Sequence, residues 1–197
     1  MNAPLPRPSL RDRQKADARE MILEAVESCL ADGGLEELSF AEVAARAGMS
    51  ERTVYRHFAT REALLDAFWT RLHASLGIVF PTTAAELVAL PRRVFPLFAE
   101  RETVIRGLMA SPQGRKVRLA VNDDRQAAIR AAVRDGVGDM PEPGFTRLCA
   151  AVQLLYSAAG WLTMRDYWGL SGEEAGHAAS DAIAALLASA KPKEPKR

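Results

Sequence analysis

The sequence has little cysteine, no long hydrophobic run and almost no net charge. Its two cysteines, Cys29 and Cys149, lie far apart among apolar positions at helical spacing, which favours buried free thiols over a disulfide or a metal pair and suits a reducing cytoplasm. No apolar run approaches the ~18 residues that a membrane span needs. The amino-terminal segment MNAPLPRPSLRDR lacks the apolar core of a secretory signal. We therefore expect a cytoplasmic protein with no membrane partner.

The sequence also lacks the usual patterns of catalytic and metal-binding residues. Its histidines, His57, His73 and His177, are too scattered for two of them to share a helical face as metal ligands. It has no glycine-rich phosphate loop and no activated-serine motif. Adjacent acidic pairs such as Asp123 and Asp124 point apart on a helix, which does not suit acid/base work. The sequence therefore predicts no catalytic residue, no metal and no cofactor, and an all-helical enzyme is the least favoured function.

Residues 38–62, LSFAEVAARAGMSERTVYRHFATRE, have the pattern of two short helices joined by a glycine turn. Ser39 and Glu42 predict a capping box at the start of the first helix. Gly48 is the residue type that a tight turn requires, and Ser50 caps the second helix. This spacing predicts a helix-turn-helix.

One side of the second helix carries groups that can donate to phosphates or read base edges in a major groove. These groups are Arg52, Thr53, Tyr55, Arg56 and His57. A small three-helix core with an ordinary solvated face would explain the same spacing, so the spacing alone leaves both interpretations open.

The segment TVYRHFATREALL resembles the signature of the TetR family of bacterial transcription regulators. The matching positions are Tyr55, His57, Phe58, Arg61, Leu64 and Leu65. The family usually has Lys where Arg61 stands and often Gly where Arg52 stands. The resemblance implies an all-α fold, in which an N-terminal three-helix helix-turn-helix DNA-binding domain is joined to a larger helical ligand-binding and dimerisation domain. We predict a flexible arm at 1–10, the DNA-binding domain at 11–66, the second domain at 67–190 and a flexible tail at 191–197.

The net charge of the amino-terminal part does not by itself indicate nucleic-acid binding. Residues 1–66 hold nine basic and twelve acidic residues, a net charge of −3, whereas a DNA-binding domain is expected to be basic. The prediction of DNA binding therefore depends on where the basic and acidic residues lie, and not on their total. Glu20, Glu24 and Glu27 share one helical face, which we expect on the solvent side, while the arm and the second helix of the motif keep the arginines.

Helical spacing and caps predict the remaining elements. The first helix, 13–32, completes the DNA-binding domain. The fourth helix begins after its cap Thr60, ends around 77–81 and, by the resemblance, relays ligand binding to that domain. The C-terminal part is predicted to be helical throughout. It has one helix after the capping box Thr83/Glu86, which Pro91 and Pro96 should kink or split, and others at 100–110, 115–135, 145–168 and, after Ser171/Glu174, 171–190.

The resemblance and the residue types together suggest contacts with double-stranded operator DNA. Tyr55 and Arg61 should bind phosphates, as the matching family positions do, and Ser39 and Ser50 offer caps and backbone amides near the strand. The base-edge candidates are Arg52, Thr53 and Arg56. His57 matches a family contact position but could instead stabilise the turn.

The family also implies a homodimer and a small-molecule effector. The last two helices resemble the dimer-forming pair, although an alanine-rich amphipathic helix is equally ordinary core. Paired recognition helices must meet half-sites about 34 Å apart. The candidate cavity residues are Trp69, His73, Phe98, Met109, Gln153 and Tyr156, and their apolar and aromatic character suggests an uncharged or weakly polar effector.

We therefore predict a sequence-specific transcription regulator, a repressor that a small-molecule ligand releases from its operator. The alternative from another class is a helical adaptor that binds only protein, which would have no use for an arginine-bearing recognition helix.

Overall fold

A computed structural model describes residues 9–33, 35, 38–75 and 79–191, and these residues form an all-α fold without strands, as predicted. They divide into two compact units, with the boundary between Arg71 and Leu72. The predicted arm, apart from its last two residues, and the predicted tail beyond Lys191 lie outside the described residues. None of the helices in the described part is long and apolar enough to cross a membrane.

The amino-terminal unit is built around a helix-turn-helix. Its helices are α1 (Leu10–Gly33), α2 (Phe40–Arg46), α3 (Glu51–His57) and α4 (Arg61–Ser75), the last of which continues past the unit boundary. The core is apolar and comes from all four helices: Ile22, Val26, Leu30, Val43, Val54, Leu64, Leu65 and Phe68. The buried side of α3 thus has one residue, Val54, and the rest of this short helix stays at the surface.

The turn between α2 and α3 has the predicted glycine geometry, but the capping box of α2 is only half formed. Gly48 has φ +64°, the left-handed conformation that favours glycine. The Ser39 hydroxyl accepts the amide of Glu42 at 3.1 Å. The Glu42 carboxylate does not complete the box, because it accepts the Arg46 guanidinium at 2.8 Å. Arg46 also pairs with Asp32 of α1 at 2.5 Å, so an ion pair has replaced the second capping bond.

The carboxyl-terminal unit is a bundle of seven helices within the described residues. They are α5 (Ala84–Glu100), α6 (Glu102–Ala110), α7 (Pro112–Ala120), α8 (Asn122–Val137), α9 (Gly144–Leu155), α10 (Ala158–Trp168) and α11 (Gly172–Ala190). The capping boxes predicted for α5 and α11 are both complete. Cys29 and Cys149 are buried free thiols in their respective units, as predicted.

Helix α5 runs unbroken through Pro91 and Pro96, so of the expected kink or split the split is wrong. The physical reason is the packing of α11 across α5. A Cβ at Gly172 would meet the Phe95 carbonyl oxygen at 2.8 Å, and one at Gly176 would meet the Pro91 carbonyl oxygen at 2.9 Å. Such close contact beside each proline supplies tertiary stabilisation that outweighs the local cost of about 3 kcal/mol per helical proline.

Two helices predicted as single elements are each broken in two. The region 115–135 divides at Val121, where the backbone (φ −104°, ψ 12°) leaves the helix and the acidic first turn of α8 begins. The region 145–168 divides at Tyr156 and Ser157, where the serine hydroxyl accepts the amide of Gly160 at 3.1 Å and starts α10. When the sequence is considered alone, a capping residue within an apolar repeat is overlooked, because the helical spacing of the apolar residues continues on both sides of it.

Candidate DNA-binding surface and effector cavity

The cap of α3 fixes which side chains face outward. The Ser50 hydroxyl accepts the amide of Thr53 at 3.2 Å and lies 3.0 Å from the Thr53 hydroxyl. With Val54 turned to the core, Arg52 and Arg56 are exposed one turn apart on the same face. The predicted base-edge residues are therefore brought together at one surface, with Thr53 half-buried beside them.

Tyr55 is held in place by an aromatic neighbour that the sequence reasoning missed. Its ring stacks on that of Phe40, with centroids 4.2 Å apart and planes within 7° of parallel. Half of Tyr55 remains exposed. Phe40 therefore fixes the ring, while the outer part of the side chain stays accessible to a DNA strand. The available sequence signal was an aromatic residue directly after the N-cap Ser39.

Arg61 is tied to the chain that precedes α2. It donates through Nη2 to the Leu35 carbonyl at 2.6 Å and through Nε to the Leu38 carbonyl at 3.4 Å. A guanidinium has five N–H donors, so these two bonds leave others for a phosphate. Arg61 thus connects the start of α4 to the segment that leads into the helix-turn-helix.

A basic cluster surrounds the carboxyl end of α3. Arg19 of α1 donates to the His57 carbonyl at 3.5 Å and lies 4.2 Å above the ring of Phe58. Burial, followed by the charges of Arg56, Lys15 and Arg19, lowers the pKa of His57. Cations at a helix carboxyl terminus are favourable, so α1 adds two positive charges to the side of α3 that already carries Arg56.

The three glutamates of α1 share one face, on which Glu20 and Glu24 are exposed as expected and Glu27 is half-buried, and all three face one arginine. Glu20 and Glu27 accept from Arg71 at 2.5 and 2.9 Å, and a Glu24 carboxylate oxygen lies 3.9 Å from the same guanidinium. This arginine of α4 offsets one of the three negative charges on that face. The sequence could not pair them because they lie more than 40 positions apart.

The carboxyl-terminal unit contains an apolar cavity of about 280 Å³. Four predicted residues line it: Phe98, Met109, Gln153 and Tyr156. Trp69 lies in the amino-terminal unit, fully buried with its ring 4.7 Å from that of Phe68. The side chain of His73 lies outside the described part of the structure.

Three side chains of the cavity wall, one tyrosine and two arginines, have no carboxylate partner among the described residues. The Tyr156 hydroxyl is buried without a hydrogen-bond partner, and burial raises the pKa of this phenol to about 12. Arg118 and Arg125 also line the wall. Sequence reasoning missed both, because they lie on separate helices, α7 and α8, that it had merged into one. Among the described residues no group of three or more His, Cys, Asp or Glu side chains is arranged to hold a metal.

Helices α10 and α11 leave an outer face of small and aromatic side chains. On α11 the exposed positions include Ala178, Ala185 and Ala188, while the buried face of the helix is formed by other residues. At the end of α10, Tyr167 and Trp168 are 82% and 77% exposed. Large exposed aromatic side chains are typical of an interface, and an exposed helix face of small residues allows close approach of a second helix.

Comparisons with known proteins agree with this geometry. Residues 22–68 match the profile of the bacterial regulatory proteins, tetR family, which confirms the resemblance. An uncharacterized HTH-type transcriptional regulator of Mycobacterium bovis is 31% identical over 80 residues, which are 41% of this chain and 42% of that protein. The chain thus aligns with less than half the length of this curated relative.

Structural likeness extends over most of the chain. A transcriptional regulator from Rhodococcus sp. Rha1 matches with a TM-score of 0.68 and 22% identity, covering 89% of this chain and 99% of that one. FadR from Bacillus subtilis, solved in complex with stearoyl-CoA, matches with a TM-score of 0.60 and 16% identity, covering 87% and 98%. At these identities the likeness concerns the fold.

Proposed function

We propose that this chain, which carries the helix-turn-helix domain of the TetR family of bacterial regulatory proteins, is a sequence-specific DNA-binding transcription regulator. The observation that carries the proposal is the exposed face of α3, where Arg52 and Arg56 stand one turn apart beside the stacked Tyr55. Arginine pairs bidentately with guanine in the major groove, and a short helix fits that groove. Arg52, Thr53 and Arg56 read base edges in this proposal.

The phosphate contacts are assigned to residues around that face. Tyr55 and Arg61 bind the backbone, and the capped amino termini at Ser39 and Ser50 present amides to it. The basic cluster at the end of α3 extends the positive surface beyond the helix, since Lys15 and Arg19 of α1 act on His57. Arg71 supports this by pairing with glutamates that would otherwise repel the duplex.

Selection of binding sites from random duplex DNA tests the proposal. The full-length chain is expected to enrich one sequence, and the affinity for it should exceed that for a scrambled duplex of the same length and should fall steeply with salt concentration. Arg147→Ala is the control for the loss of an arginine and should bind the selected duplex as wild type does, because Arg147 is exposed on α9 of the other unit. Equal affinity for selected and scrambled duplexes would contradict sequence-specific binding.

The regulator acts as a homodimer through α10 and α11 in this proposal. The exposed alanines of α11 allow close approach of a second copy, and the exposed Tyr167 and Trp168 of α10 supply further apolar area. Light scattering coupled to gel filtration should give twice the chain mass. Ala185→Arg should shift the protein toward monomer, whereas Ala127→Arg on the exposed side of α8 should not.

An effector bound in the cavity releases the dimer from its operator, which makes the protein a repressor. The support is the apolar cavity itself and the fold shared with FadR of Bacillus subtilis, which was solved with stearoyl-CoA. A ligand acts only through unequal affinity for the DNA-binding and DNA-free forms. It is expected to change the separation of the two recognition helices.

A further inference from the structure

We propose that the effector is an amphipathic anion, whose acidic group is bound by Arg118, Arg125 and Tyr156 while its apolar body fills the rest of the cavity. This inference rests on the proposed function, since it takes the cavity to be the effector site. It differs from the expectation of an uncharged or weakly polar ligand that the apolar residues alone suggested.

Most of the cavity wall is apolar. Leu90, Val94 and Phe98 of α5 face Ile105, Leu108 and Met109 of α6. A volume of about 280 Å³ is close to the lower limit of roughly 300–1,000 Å³ for small-molecule sites. Binding there is driven by burial of apolar surface, which selects a compact hydrocarbon or aromatic body.

The two arginines of the wall carry charges that no described carboxylate offsets. Arg118 donates to the Leu108 carbonyl, and Arg125 donates to the Arg118 carbonyl at 3.4 Å. The Arg125 guanidinium also lies 5.4 Å from the ring centroid of Phe80. Backbone carbonyls and a ring satisfy donors but supply no negative charge. The arginines elsewhere in this bundle that meet a carboxylate include Arg92 and Arg106.

The electrostatics of the pair reflect this missing charge. The pKa of Arg118 is lowered, first by burial and then by the charges of Arg125 and Arg115. An anion placed between the guanidinium groups would oppose both electrostatic contributions, because an opposite charge favours the protonated form. A neutral ligand would bury the same two charges further without compensation.

Tyr156 supplies a third donor at the same place. This residue is only 8% exposed, its hydroxyl has no partner, and the charge of Arg125 acts on it. A buried hydroxyl without a partner is uncommon and calls for an explanation. A ligand oxygen that accepts from Tyr156 would also lie within the field of Arg125. Two guanidinium groups and one hydroxyl therefore favour a ligand that brings acceptor oxygens and negative charge.

The test is a panel of ligands that share a body and differ only in the polar group. We would use 4-phenylbutyrate, 4-phenylbutan-1-ol and 4-phenylbutylamine, and the same three groups on unbranched octyl and decyl chains. Affinity for the full-length protein is measured by calorimetry at neutral pH. For at least one body, the carboxylate should bind about tenfold or more tighter than the alcohol, and the amine should bind most weakly.

Variants assign the preference to the two arginines. Arg125→Gln should lower carboxylate affinity by about tenfold or more and leave alcohol affinity nearly unchanged, since a charge-assisted hydrogen bond is lost only with the anion. Arg118→Gln should act in the same direction. Each change also removes a bond to a backbone carbonyl, but the bond of Arg125 is long at 3.4 Å, so Arg125→Gln is the deciding variant. Arg147→Gln, outside the cavity, should change neither affinity.

The proposal is overturned if no carboxylate of the panel binds, if each alcohol matches its carboxylate, or if Arg125→Gln binds carboxylates as wild type does. Operator binding is measured separately on the duplex obtained by selection. A sequence-specific protein without carboxylate preference would retain the proposed function and lose this inference. A carboxylate-binding protein that recognises no duplex would do the reverse.

Discussion

Replacing Gly176 with alanine tests the contact between α11 and α5 on which the carboxyl-terminal unit depends. A Cβ atom at this position would lie 2.9 Å from the Pro91 carbonyl oxygen and 3.0 Å from the Arg92 Cα atom. Both are backbone atoms, which move only if the helix moves. Alanine is favoured over glycine in a helix by about 1 kcal/mol, whereas overpacking costs about 1–3 kcal/mol. With two backbone contacts compressed together, we expect the free energy of unfolding to fall by about 1–2 kcal/mol.

Gly136→Ala is the matched control for Gly176→Ala. It introduces the same methyl group into α8, where the nearest atoms belong to the side chains of Ala84, at 3.1 Å, and Leu187, at 3.5 Å. The Leu187 side chain can rotate, and the Ala84 methyl group needs a shift of only a few tenths of an ångström. The free energy of unfolding should therefore be unchanged or raised by up to about 1 kcal/mol. Urea unfolding of both variants is followed by circular dichroism. If Gly176→Ala were as stable as Gly136→Ala, the close backbone approach of α11 to α5 would be wrong.

Three further predictions follow from the side-chain contacts. Arg71→Met leaves Glu20, Glu24 and Glu27 without their shared cation, which is largely shielded from solvent. Thermal unfolding should show that the free energy of unfolding falls by about 1–3 kcal/mol and that Arg71→Lys restores part of it. An unchanged stability would refute the role of this cluster. Because the pKa of His57 is lowered in the folded protein, the stability it contributes is complete above the unfolded-state pKa and is lost as the pH falls below about 6.5. His57→Gln should therefore flatten the pH dependence of the free energy of unfolding in that range. Parallel pH profiles for the variant and the wild type would refute this. Tyr156→Phe removes a buried hydroxyl that has no partner, so the ligand-free variant should be as stable as wild type or more stable by up to about 2 kcal/mol, as measured by calorimetric unfolding. A fall in the free energy of unfolding of more than about 2 kcal/mol would show that the hydroxyl makes a hydrogen bond.

The elements that the sequence predicted well are those whose ends depend on neighbouring residues. The Thr83/Glu86 and Ser171/Glu174 boxes start α5 and α11 as expected, and Ser50 starts α3. Such caps depend mainly on residues within four positions of each other, so the sequence carries most of their signal. The Ser39 box failed in its second half because Arg46 competes for the glutamate.

What the sequence could not predict depends on residues that meet only in the folded chain. The prolines of α5 are tolerated because α11 packs beside them at Gly172 and Gly176, far along the sequence. Phe40 supports Tyr55, and Lys15 and Arg19 reach the end of α3, only through the packing of the amino-terminal helices. Merging α7 with α8 hid the position of Arg118 and Arg125 at the cavity, and with it the charge that the proposed effector must match.

The central claim, that the outer face of α3 reads DNA, is tested most directly by comparing Arg56→Ala with Arg61→Ala across the duplexes obtained by selection. Dissociation constants are measured for the selected sequence and for each of its single base-pair changes. We predict that Arg56→Ala costs about 1–3 kcal/mol on the selected sequence and abolishes discrimination at one position. Arg61→Ala should weaken binding to every duplex by a similar factor. Equal losses on every duplex for both variants, or unchanged binding by Arg56→Ala, would contradict the claim.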